Sequence, residues 1–85
     1  MVGTLIKTMA NQTLYVGMIK DFIIDHNDSF ISVGVVWNDN DVTTETFEER
    51  EDYETSIYHF HDNGRWWNIN ENFYKFQRLL EDKCK

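Results

Sequence analysis

Asn63-Gly64 interrupts an alternating segment, Thr55 to Ile69, and sharply limits what that segment can do. The pair is the strongest short hairpin signal, because a type I′ turn needs positive φ at both central positions. A two-residue turn also fixes register. Asp62 then faces Arg65, His61 faces Trp66, Phe60 faces Trp67, His59 faces Asn68 and Tyr58 faces Ile69. Opposed residues share a face of the sheet. Tyr58, Phe60, Trp67 and Ile69 make an apolar face fit for a core, while His59, His61, Trp66 and Asn68 make the other. Of two adjacent tryptophans, Trp67 is expected inward and Trp66 outward.

A hairpin needs further strands to shelter it, and the upstream sequence supplies them. Thr13 to Asp25 is apolar and β-branched. A helix through Tyr15, Ile19, Phe22 and Ile23 competes, but Gly17 and the Ile pair favour a strand. Phe30 to Trp37 reads as a strand with Ile31, Val33, Val35 and Trp37 on one face. Val42 to Phe47 reads as the next strand. His26-Asn27-Asp28 and Asn38 to Asp41 have the chemistry of turns, so these three strands form a meander. Residues 1–12 are mixed and read as a loose N-terminal arm or an edge strand.

After Ile69 the period changes. Phe73, Phe76, Leu80 and Cys84 follow 3- and 4-residue steps, the buried stripe of a C-terminal helix. Asn70 is the expected N-cap, with Ile69 and Tyr74 as a hydrophobic staple. Lys83 and Lys85 suit the C-terminal end of the dipole. With 85 residues there is one domain, whose core draws heavily on aromatics, 15% of the chain.

The expected class is α+β, mostly β: about five short antiparallel strands in a small SH3-like or partly open barrel, closed by one helix. The stretch VGVVWNDNDVTTETF, residues 33–47, resembles the middle hairpin of SH3-like barrels. There an apolar strand ending in Trp meets a polar turn and a Thr-rich strand. That resemblance implies a fold and no activity, because such barrels host unrelated functions.

Charge is distributed unevenly. The net charge is −7. Asp39, Asp41, Glu45, Glu48, Glu49, Glu51, Asp52 and Glu54 lie in one stretch opposed only by Arg50, and the rest of the chain balances. The whole net charge therefore belongs to residues 39–54. On a strand, Asp39, Asp41, Glu45, Glu49 and Glu51 share a face. Thr46 and Glu49 also have capping-box spacing, and a short helix from Phe47 would group Glu45, Glu48, Glu49 and Asp52 instead. An acidic ridge survives either choice. Its plain role is a solvated face that keeps the chain soluble. Its functional role is to steer a basic partner. The sign opposes direct binding to nucleic acid or to an anionic membrane.

Few residues suggest catalysis or metal binding. His59 and His61 sit on one strand face, ~6.7 Å apart along the chain. A metal would need two more ligands, and His26 and Asp62 are the only candidates, so no metal or cofactor is expected. Cys84, at the chain's end, lacks a fixed base beside it. Ser29, Ser32 and Ser56 lie in no nucleophile-elbow context, and Gly3, Gly17, Gly34 and Gly64 lack phosphate-loop spacing. No enzymatic activity is expected. One cysteine, no signal peptide and no transmembrane run suggest a reducing, cytoplasmic setting.

Trp66, flanked by Arg65 and with His59 and His61 nearby, has the composition of an interface hot spot. The sequence thus points to a small acidic protein that binds a basic, nucleic-acid-handling surface on another protein. In size, acidity and lack of catalytic motifs it resembles the small inhibitors that bacteriophages encode, such as anti-restriction proteins, anti-CRISPR proteins and uracil-DNA glycosylase inhibitors. The resemblance is one of type and carries over no residue. It implies action in a host cytoplasm. The alternative is an SH3-like adaptor binding a peptide or subunit through its aromatic face. The oligomeric state stays open, a homodimer included.

Overall fold

The hairpin forms in the expected register: His59↔Asn68, Phe60↔Trp67, His61↔Trp66 and Asp62↔Arg65. Asn63 and Gly64 both take positive φ, 54° and 78°, as the turn requires. The structure, a computed structural model, describes residues 2–49 and 57–83. Among them are strands β1 (Leu5–Ala10), β2 (Thr13–Asp25), β3 (Phe30–Trp37), β4 (Val42–Glu48), β5 (His59–Asp62) and β6 (Arg65–Asn68), followed by helix α1 (Phe73–Lys83). They form one open antiparallel sheet in the order β4-β3-β2-β1-β5-β6. The mostly-β class with one C-terminal helix is the one expected.

The sixth strand is β1, and it corrects the reading of the N-terminus. It is neither a loose arm nor an edge. It lies between β2 and β5, pairing Ile6 with Gly17 on one side and with Phe60 on the other. Ile6 is fully buried there. The β2-β3-β4 meander is as expected, and β2 excludes the competing helix. Strand β4 runs through Glu48, so no helix starts at Phe47.

Strict alternation fails once, inside β2. The register with β3 shifts between Ile19 and Asp21, leaving Lys20 as the extra residue of a bulge. Before the bulge Leu14, Val16 and Met18 point to one face. After it Phe22 and Ile24 point to the opposite one, joining Ile19 against the core. Gly17 lets the sheet pack closely at this point. A Cβ there would lie 2.6 Å from Val35 Cγ1 and 2.9 Å from Trp37 Cε3.

The core lies between one face of the sheet and α1. Ile6, Ile19, Ile31, Val33, Val35, Phe47 and Phe60 supply the sheet side, and Phe73, Phe76 and Leu80 the helix side. The ring of Phe76 sits 4.9 Å from Phe60 and 6.2 Å from Phe47, centroid to centroid. The helical stripe is therefore as expected through Leu80, and Cys84 lies outside the described residues. The cap differs. Asn70 Nδ2 donates to the Glu48 carbonyl, 2.9 Å, which ties the segment before the helix to β4. Asn68 accepts the Glu71 N–H at 3.0 Å, and the helix begins only at Phe73.

Candidate functional site

A cleft of about 240 Å³ opens where the core face runs beyond the helix, at the β3–β4 end of the sheet. The β3–β4 turn builds its rim. Asp41 N–H donates to Asp39 Oδ1 at 3.0 Å, and Asn40 takes φ 69°, which Asn tolerates well. This turn brings Asp39 and Asp41 to the cleft, and alternation along β4 adds Glu45. Aromatic walls come from Tyr15, Trp37 and Tyr58.

Glu45 is held at both oxygens. Trp37 Nε1–H donates to Thr43 Oγ1 at 2.7 Å, and that hydroxyl donates to Glu45 Oε2 at 2.7 Å. Tyr58 OH donates to Glu45 Oε1 at 3.1 Å. Burial, then the Glu45 charge and its hydrogen bond, push the Tyr58 hydroxyl above its ordinary pKa, while neighbouring Thr8 opposes the rise. Tyr58 is thus a neutral donor, and Glu45 is held in place at both oxygens. Three carboxylates beside aromatic rings make a slot for a cation, since carboxylates and ring faces both attract guanidinium and ammonium groups.

The other acids divide. Glu48 is exposed on the opposite face of β4. Glu49 borders a shallow groove at the start of α1, where its hydrogen bond to Tyr74 raises the pKa of that hydroxyl. Glu51, Asp52 and Glu54 lie outside the described residues. Among the described acids, Asp39, Asp41 and Glu45 gather at one cleft, Glu45 by alternation along β4 and the two aspartates by the turn before it.

On the face away from the helix, Trp66 is 36% exposed. Its ring meets His61 edge-on at 5.0 Å, and Lys7 Nζ lies 4.5 Å from its centroid. His59 shares this face, paired with Lys7 and Asn68. Arg65 does not join them. It lies on the other face, its guanidinium carbon 4.6 Å from the Trp67 ring centroid. The register places it there, because its cross-strand partner is Asp62. Trp67 is half-buried against the core and donates Nε1–H to the Asp62 carbonyl at 3.0 Å.

The candidate metal ligands do not converge. Asp62 shares a face with Arg65 and pairs with Lys75 at 3.4 Å, away from His59 and His61. His26 lies 3.7 Å from Glu81. Among the described residues no three His, Cys, Asp or Glu side chains are grouped to hold a metal ion. No described helix is long and apolar enough to cross a membrane.

Sequence reasoning missed Tyr15, Thr43 and Lys7 as parts of these surfaces. Only the period-2 spacing of Thr43 and Glu45 hinted at their shared face. No family model, curated protein or solved structure matches the chain.

Proposed function

We propose that this chain is a small acidic protein that binds a basic surface, of the kind that handles nucleic acid, on another protein and blocks it. Small inhibitors encoded by bacteriophages act in this general way, and the chain is of their type in size and charge. The observation that carries the reading is the cleft at the head of the acidic stretch. Glu45 is fixed there between Thr43 and Tyr58, beside Asp39 and Asp41. It would take an Arg or Lys side chain of the partner, while the acids from Glu48 onward meet the surrounding basic surface. A preformed anion loses little freedom on binding, which favours affinity.

Charge reversal tests this. Asp41, Glu48, Glu51 and Glu54 changed to Lys take the net charge from −7 to +1, since each change moves it by two. Glu45 is left in place because its hydrogen bonds hold the cleft together. The wild-type chain should capture a nucleic-acid-binding protein from lysate at low salt and lose it steeply as salt rises. The reversed chain should capture none. Capture by both, insensitive to salt, would overturn the reading and favour an adaptor that binds through the Trp66 face.

A further inference from the structure

We propose that the sheet face opposite the helix is the interface of a homodimer. The helix covers one face only, and the registers show what the other presents. Leu5 pairs with Met18, Met18 with Val36 and Val36 with Val42, so one apolar row crosses β1 to β4. The next two positions across the sheet belong to β5 and β6, where His61 faces Trp66. Of the exposed large apolar side chains among the described residues, Leu5, Met9, Leu14, Met18, Ile23, Val42 and Trp66 all lie on this face. Soluble monomers rarely expose so extensive an apolar patch.

Area and charge both favour a second copy as the occupant. The six strands together hold 42 residues, each covering ~3.3 Å along the strand and ~4.8 Å across it, which gives roughly 670 Å² per copy. That approaches the ~800 Å² per partner of a standard interface. The row holds no carboxylate; Asp21 lies in the adjoining row beside Gly34, Lys7 lies on the other side of the row, and Asp25 and Glu48 flank Phe30 at the far end of the face. The row itself is thus free of acidic charge, and Asp39, Asp41 and Glu45 lie on the opposite face, outside the contact. Two such sheets pack face to face ~10 Å apart, as in a β-sandwich. A two-fold axis along the strands, between β1 and β2, would set Met18 over the partner's Leu5. The same axis would set Val42 over the partner's Trp66. The cleft opens on the opposite face and stays free.

Sedimentation equilibrium from about 1 to 500 μM tests the proposal, because dimer mass depends on concentration. The apparent mass should rise from 10.2 kDa toward twice that value. Met18→Glu and Val42→Glu, made separately, should each weaken association ~100-fold, with two carboxylates desolvated per dimer at ~tenfold each. Tyr74→Glu, on the exposed side of α1, should leave association unchanged. Val42 lies on an edge strand and is 55% exposed, so its variant should fold even if Met18→Glu does not, with circular dichroism as the check. Added salt should strengthen the dimer by screening two like-charged copies. It should weaken capture of a basic partner, which keeps the two proposals separable. A wild-type chain that stays at one-copy mass at 500 μM overturns the proposal, as does a Val42→Glu chain that folds and associates like wild type.

Discussion

Replacing Phe76 with Ala should remove much of the stability of the fold. The side chain is fully buried, and its ring packs against Phe60 and Phe47 on the sheet. It stands in the middle of the one helix that covers the core face. Deleting a buried Phe costs about 3–5 kcal/mol, the lost transfer energy plus the cavity left behind. A chain of 85 residues has roughly 4–13 kcal/mol in total, at ~0.05–0.15 kcal/mol per residue. The substitution thus takes roughly a quarter of the stability or more. In a domain of this size each kcal/mol shifts Tm by about 4–8 °C, so Tm should fall by at least ~12 °C. Phe76→Leu, which keeps most of the volume, should cost about 1.5 kcal/mol or less. Tyr74→Ala, on the same helix but 52% exposed, should change stability by no more than ~0.5 kcal/mol. Urea unfolding followed by circular dichroism measures all three. A Phe76→Ala chain that melts within about 4 °C of wild type would refute the packing of α1 on the sheet.

The two tryptophans should separate in the same assay. Trp67→Ala should cost about 3 kcal/mol, the low end for a buried aromatic, because it is only half-buried but also loses its bond to the Asp62 carbonyl. Trp66→Ala should cost about 1 kcal/mol, since its neighbours Lys7 and His61 can close over the gap. The reverse order would mean the hairpin register is off by one residue. Tyr58 should make stability fall at alkaline pH. Its folded pKa is raised, so its contribution is complete below the ordinary tyrosine value near 10 and is lost as pH rises through the folded value. Urea midpoints of wild type and Tyr58→Phe at pH 9 and pH 11 should therefore converge or cross as pH rises. A constant difference between them would contradict the burial of that hydroxyl beside Glu45.

Much of the fold was legible because local rules fix it. A two-residue turn leaves the β5–β6 hairpin one register, and alternation sorted Trp66 from Trp67. The period of Phe73, Phe76 and Leu80 marked the helix before any contact was known. What stayed hidden depends on partners distant in sequence. Nothing local in Leu5–Ala10 shows that Ile6 will lie between Gly17 and Phe60, because that place is set by β5, more than fifty residues later. The Lys20 bulge arises from the pairing of β2 with β3, and it decides which face Phe22 joins. Asn70 has the right chemistry for an N-cap, yet the Glu48 carbonyl competes for its side chain. The acidic members of the cleft were visible as a run of charge. Its tyrosines were not, because Tyr15 and Tyr58 meet there from opposite halves of the chain.

The central claim is that the acidic stretch occupies a basic, nucleic-acid-handling surface. The most direct test takes the protein captured at low salt and measures its own binding to DNA or RNA by fluorescence anisotropy, with and without this chain. Wild type should displace the nucleic acid, and its apparent affinity should fall steeply between 50 and 200 mM salt, as charge-driven contacts do. The variant with Asp41, Glu48, Glu51 and Glu54 changed to Lys should displace none. Nucleic acid that stays bound while the wild-type chain is also bound would contradict the claim.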